Sequence, residues 1–231
     1  MRIKLLLLSL LFAFLFTYFS YSVAKERWQK IDFDTTVKLQ DRIPQKFDGI
    51  FSYFSLIGSA EITVGFCLAA AFLYLLKKRW LAIAGWLMII PATAAEVFGK
   101  LILFHPGPPV FFHRSLTPTS LPSFYVHTDF SYPSGHMTRT IFIVTIFCCM
   151  VIFSSKNIVP RFFILCSILL FALLMGLTRV YLGEHWVSDI FGGALLGLAT
   201  GLFASVLILR PAQVFDSEVW RSRPQTRRDQ P

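Results

Sequence analysis

The residues with chemistry to offer lie at the edges of apolar runs. Ionisable side chains there are costly, about 2.5–3.5 kcal/mol each at a helix centre on insertion scales, so they are read first as functional. Pro133-Ser134-Gly135-His136 opens one run, with Arg139 one turn further in. Lys100 closes a second, Arg179 closes a third, and His185 and Asp189 open a fourth. His185 and Asp189 are four residues apart and share a helix face. A carboxylate so placed accepts the imidazole Nδ1–H, fixes the tautomer and leaves Nε2 free as nucleophile or base. Ser134, Gly135 and His136 bring a hydroxyl and backbone N–H groups to a positive helix end, which suits an oxyanion. Lys100 and Arg179 add two cations. Two histidines, one carboxylate and several anion donors fit phosphoryl transfer without an obligatory metal. No carboxylate cluster has divalent-cation spacing, so no metal and no cofactor is expected.

These residues need elements to position them. The chain has 231 residues, 55% hydrophobic and only 15% charged, with 25 Phe, and a mean hydropathy of +0.62. Soluble chains carry about 25% charged residues. The composition excludes disordered, disulfide-framework and collagen-like classes. About 20 apolar residues cross a bilayer as helix, and six such stretches are present: Leu5–Val23, Phe51–Leu76, Trp80–Phe104, Met137–Phe153, Ile158–Leu182 and Trp186–Leu209. The expected fold is all-α, a six-span transmembrane bundle. Pro91 predicts a kink in the third span. Gly193, Gly197 and Gly201 form a small-residue stripe for close helix packing. Cys67, Cys148, Cys149 and Cys166 fall in apolar stretches without metal spacing and read as packing residues.

Orientation follows from Lys and Arg in the short loops. Arg2, Lys4, the Lys77-Lys78-Arg79 turn, Lys156, Arg161 and a basic tail 210–231 fall on one side, taken as cytoplasmic together with both termini. That side carries the whole formal charge of +9, and the other half sums to zero. The positive charge is therefore a topology signal, and no nucleic-acid partner is expected. Residues 1–24 form an N-terminal anchor, or a signal peptide if Ser22-Val23-Ala24 is cleaved. The mixed-charge segment 25–50 is expected to lie along the extracytoplasmic surface. Residues 51–209 are the main membrane domain. Glu96, one turn before Lys100, reads as an orienting ion-pair partner, and Glu61 as a hydrogen-bonding group inside span two. His105, His113 and His127 read as solvated loop histidines. The aromatic-rich loop from Val110 to Tyr132 reads as a cap over the site or an interfacial segment, with lipid contact as its function.

Lys100 with Pro108, the run Pro133-Ser134-Gly135-His136, and Arg179 with His185 and Asp189 at their spacing resemble the three-part signature of the type-2 phosphatidic acid phosphatase superfamily. The resemblance covers residues 50–209. It implies an integral membrane phosphatase of a bacterial inner or plasma membrane, acting on a membrane lipid phosphate or a polyprenyl diphosphate. It implies that His185 attacks phosphorus, that Asp189 orients His185, and that His136 protonates the leaving oxygen. Lys100, Ser134, Gly135 and Arg179 would hold the phosphoryl oxygens. Two positions depart from the pattern: Gly107 stands where the family has an arginine, and Thr178 where it has a serine. The first removes a bidentate phosphate clamp, and Arg114, Arg139 and His105 are candidates to replace it. Rival readings are a phosphatase for small soluble esters, a lipid phosphotransferase, and a lipid-binding or transport relative without catalysis.

Overall fold

In a computed structural model, which describes residues 2–116, 130–154 and 158–209, eight of the nine α-helices among the described residues build the six spans. Helix α1 (Arg2–Ala24) is the first span, and α2 (Gln29–Arg42) is a polar helix outside the apolar layer. The second span, Gln45–Leu76, is broken into α3 (Asp48–Leu56) and α4 (Ala60–Leu76). The third, Trp80–Ile102, is broken into α5 (Trp80–Leu87) and α6 (Ile89–Ile102). Helices α7 (Gly135–Ser154), α8 (Ile158–Tyr181) and α9 (Val187–Ile208) complete the bundle. No extended strand occurs among the described residues, in keeping with the expected all-α fold. Lys156, His127 and the tail 210–231 lie outside the described residues, as does the middle of the aromatic loop.

Both breaks have local causes. Pro91 sits in the first turn of α6, where its missing N–H costs nothing, and the chain bends just before it at Met88. Before α4, Ser59 adopts extended backbone and its hydroxyl accepts the Ile62 N–H at 3.4 Å, an N-cap. Glu61 consequently lies in the first turn of α4, where an acid complements the helix dipole, rather than well inside a continuous span.

Helix α7 is the axis of the bundle. In its most apolar window 61% of residues are buried, against 11% for α1 and for α8. The glycine stripe explains the tight α7–α9 crossing. A Cβ on Gly193, Gly197 or Gly201 would lie 2.5–2.8 Å from the backbone carbonyls of Ser134, Thr138 and Phe142, so only hydrogen lets the two backbones meet. An apolar cluster including Cys67, Trp86, Ile89, Phe142, Ile146 and Ile208 fills the half of the bundle away from the putting-together of helix ends that hold the polar residues. Helix α1 lies along α9, with the Ser9 hydroxyl donating to the Ala199 carbonyl at 2.8 Å. Phe14, Phe72, Phe162, Phe163 and Leu173 project outward as an apolar belt fit for lipid contact. Of the cysteines, Cys67 and Cys149 are buried, Cys148 is half-buried and Cys166 faces outward; all four are free.

The segment 25–50 is more closely integrated than its composition predicts. Asp32, Thr36 and Gln40 recur every four residues on α2 and turn inward against α8 and α9. The Gln40 amide donates to the carbonyls of Phe112 (2.7 Å) and Tyr181 (2.8 Å).

Candidate active site

Four helix ends meet at one end of the bundle: the C-termini of α6 and α8, and the N-termini of α7 and α9. From α6, Glu96 and Lys100 form an i,i+4 ion pair of 2.8 Å. The other oxygen of Glu96 takes Arg139 of α7 at 2.6 Å. The Glu96 carboxylate lies so close to Gly135 that a Cβ there would overlap it. A side chain at 135 would push the Glu96 carboxylate aside, and Glu96 rests against the positive start of α7. One buried carboxylate thus ties the cations of two helices together.

At the α7 start, the Ser134 N–H donates to the backbone carbonyl of Asp189 at 3.0 Å, locking the entries of α7 and α9 to each other. The Ser134 hydroxyl accepts the Met137 N–H at 3.5 Å in the N-cap position. His136 is buried, beside Met175 and packed against Gly58. Its Nε2 meets no hydrogen-bond partner among the described residues, although it lies within electrostatic reach of Arg179, Arg139, His185 and Lys100. An orphaned buried imidazole nitrogen in such company has the surroundings of an anion site.

Between α8 and α9 the chain turns within a few residues. Gly183 takes φ +69°, and a side chain there would strike the Phe112 carbonyl. The N–H groups of Glu184 and His185 both return to the Arg179 carbonyl, at 3.1 and 3.3 Å, bringing Arg179 and His185 side by side. Arg179 donates to the Ser55 hydroxyl at 2.5 Å and pairs with Glu184. His185 Nδ1 lies 3.2 Å from Asp189 Oδ2, and the same oxygen accepts the Trp186 N–H at 2.9 Å. Burial, then the charges of Arg179 and Lys100, hold the His185 imidazole well below its usual pKa. At neutral pH it is neutral, with an Nε2 lone pair available.

The structure gathers His136, His185, Asp189, Lys100, Ser134, Gly135 and Arg179 at this end, and it includes Arg139 through Glu96. Arg114 is not gathered with them. Its guanidinium contacts the Gln40 carbonyl and the Tyr181 hydroxyl, both at 3.3 Å, and stacks on the Tyr181 ring, while its N–H donates to Leu182. It braces the α8–α9 turn. His105 also corrects expectation: it is buried, not solvated, because the isolated bridge between Pro106 and Phe130 folds its segment back over α9. His113 is exposed, as expected of a loop histidine.

Sequence reasoning missed Asp32, Ser188 and Ser55. The Asp32 carboxylate accepts the Ser188 N–H at 2.8 Å and the Ser188 hydroxyl at 2.7 Å, and so caps α9 from outside the chain's own turn. The available signal was the polar stripe Asp32, Thr36, Gln40 in an otherwise exposed helix.

Residues 81–211 match the PAP2 superfamily, more than half of the chain. The chain belongs to the PAP2 superfamily. Among solved PAP2 structures it is similar to a transmembrane PAP2-type phosphatidylglycerolphosphate phosphatase from Bacillus subtilis. That likeness has a TM-score of 0.67 and 19% identity, and covers 94% of this chain and 99% of the other. It is also similar to LpxE from Aquifex aeolicus, with a TM-score of 0.55 and 21% identity over 75% of this chain and 94% of that one. At these identities the likeness establishes the fold, an integral membrane PAP2 bundle. In sequence, the chain is 35% identical over 75 residues to phosphatidylglycerophosphatase B of Bacillus subtilis (strain 168), which is 31% of this chain and 36% of that relative's length.

Proposed function

We propose that this PAP2 protein hydrolyses a membrane lipid phosphomonoester or a polyprenyl diphosphate through a phosphohistidine on His185. The observation that carries the reading is the buried pair of His185 and Asp189 beside Arg179, with Lys100 close by and a His136 whose Nε2 has no hydrogen-bond partner among the described residues. In the first step His185 Nε2 attacks phosphorus, a P–N bond forms, and the P–O bond to the leaving alcohol or phosphate breaks. His136 gives its proton to that leaving oxygen. Lys100, Arg179, Ser134 and the N–H groups at the start of α7 hold the phosphoryl oxygens as charge builds. In the second step water attacks phosphorus, its proton passes to His136, the P–N bond breaks, and inorganic phosphate leaves with His185 restored. Asp189 keeps Nδ1 protonated throughout and balances the transient positive charge on the imidazole.

The substrate class follows from where the residues sit. They occupy helix ends above an apolar belt, so a headgroup reaches them while acyl or prenyl chains stay in the bilayer. The site is read as extracytoplasmic, with 1–24 retained as an anchor, 25–50 as an outer-face segment, 51–209 as the phosphatase domain, and a cytoplasmic basic tail. Arg2 and Arg79 support this orientation, since both lie at the opposite end and donate to the last carbonyls of α9, at 2.8 and 2.9 Å.

The test is phosphate release by the purified chain from phosphatidic acid, phosphatidylglycerophosphate and undecaprenyl diphosphate. Release from at least one, reduced to background by His185→Ala, is the expected result. No release from any, or an unchanged rate in His185→Ala, overturns the mechanism.

A further inference from the structure

Behind the His185–Asp189 pair lies a second polar chain that the reaction as written does not use. Asp189 Oδ2 is engaged by His185 and by the Trp186 N–H, but Oδ1 is buried with no hydrogen bond among the described residues. His105 Nε2 lies 3.6 Å from Oδ1, and the Ser131 side chain also reaches the Asp189 carboxylate. The same Nε2 lies 3.2 Å from the Ser188 hydroxyl and 4.0 Å from Asp32 Oδ2, and the Ser188 hydroxyl in turn donates to Asp32. His105, Ser188, Asp189 and Asp32 are all buried. Tyr132 approaches the His105 ring edge-on from the α7 side, 6.3 Å between centroids. The His105 carbonyl is fixed by the Ser131 N–H at 2.9 Å. Beyond His105 and Asp32 opens a cleft of about 570 Å³, lined also by Lys30, Asp34, Gly107 and Trp186.

We infer that His105, held by Asp32 and Ser188, is a positioning residue for Asp189: its Nε2–H faces the carboxylate oxygen that His185 leaves free. The inference rests on the function proposed above. A buried carboxylate with one unsatisfied oxygen rotates or loses charge unless a donor holds it. His105 supplies that hold electrostatically: its Nε2 lies 3.6 Å from Oδ1, longer than a hydrogen bond, and is kept in place by the Ser188 hydroxyl at 3.2 Å and Asp32 at 4.0 Å. Burial, with Asp189 nearby, pushes the Asp32 carboxyl up to about 6, so near neutral pH the cluster sits close to a change of charge. The groups facing His105 are Asp32 from α2, Asp189 and Ser188 from α9, and Ser131 and Tyr132 before α7, with Lys30 and Asp34 at the rim of the cleft. On this reading His105 acts through Asp189 rather than as a replacement for the arginine that the motif lacks at Gly107.

The experiment compares wild type, His105→Ala, His105→Gln and Asp32→Asn as full-length chains in detergent micelles, with His185→Ala as the blank. Phosphate release is followed from pH 5 to 8, and ¹⁵N-histidine NMR of the same samples reads the His185 Nδ1–H. Expected for His105→Ala is a 10- to 100-fold fall in kcat with KM unchanged, an altered acid limb of the pH profile, and loss of the His185 Nδ1–H signal. His105→Gln, whose amide also donates, recovers most of the rate and the signal. Asp32→Asn shifts the acid limb while keeping the signal. Wild-type kcat and signal in His105→Ala overturn the inference, as does a rise in KM alone, which would mean that His105 binds phosphate. Equal loss of rate in Ala and Gln variants with the signal intact also overturns it. If wild type releases no phosphate from any lipid, the functional reading fails, while the NMR comparison still decides whether His105 holds the pair.

Discussion

His136 and His185 have similar surroundings, yet their partners differ. His185 has a carboxylate on Nδ1, whereas His136 presents an Nε2 with no partner among the described residues. The asymmetry matches nucleophile and general acid. His136→Ala is expected to slow release from a lipid phosphate by about 10²- to 10⁴-fold. A nitrophenyl phosphate, whose leaving group needs no proton, should lose much less, and steady-state rates on the two substrates check this. Because the His185 pKa lies well below its usual value, the proposed nucleophile stays neutral when pH falls from 7.5 to 6.5, and no activity loss from its protonation is expected there. Asp32 has the opposite sign to an ordinary surface acid. Burial, and then the nearby charge of Asp189, raise its carboxyl from 3.8 to about 6. The folded chain thus holds a proton that the unfolded chain has released between these values, and stability from this group is lost as pH rises through 6. Asp32→Asn should therefore gain on wild type between pH 4 and 6, by up to about 3 kcal/mol, measured as Tm against pH. The candidate site residues were legible in the sequence because their spacing is short-range: His185 and Asp189 need only a helix between them. Asp32, 156 residues from Ser188, carries no local mark of its partner.

At the scale of elements, the spans could be read from apolar length alone, and their ends fall within a few residues of expectation. The break before α6 was legible from Pro91, whereas the break before α4 was not, since Ser59 resembles any serine until it is seen to cap. The glycine stripe on α9 was also legible, and its purpose is now specific: it lets the α9 backbone approach that of α7 so that Ser134 and Asp189 can share a hydrogen bond. Gly197→Leu forces a side chain against the Thr138 carbonyl. A loss of about 1–3 kcal/mol or more is expected, seen as a lower Tm in detergent, with activity falling further than stability because the α7 and α9 entries separate. The inward face of α2 was hidden by its charge, as a mixed-charge helix can lie flat on a membrane or, as here, carry one polar stripe into the bundle.

The whole molecule is electrically two-ended. Arg2 and Arg79 converge on the last turn of α9, while the opposite end gathers its cations around carboxylates. Single cysteines introduced at exposed His113 and at Lys78 should be labelled by a membrane-impermeant maleimide from opposite sides in intact cells, His113 from outside, once the native cysteines are removed. Labelling of Lys78 from outside and His113 from inside would reverse the orientation, and labelling of both from one side would overturn the span arrangement. Overall orientation is the one large-scale property that charge counting reaches without any contact being known, because insertion responds to loop charge and not to packing.

The shared level of the four helix ends has a kinetic meaning. A site at fixed depth above an apolar belt meets only phosphates presented at that depth. Its effective substrate concentration is then a surface density, not a bulk molarity. In mixed micelles, adding inert detergent at constant lipid phosphate should lower the rate in proportion to the lipid's mole fraction, and a short-chain soluble ester should show no such dilution. The bilayer would in that sense act as the enzyme's second solvent, one whose concentration scale is counted per unit of area.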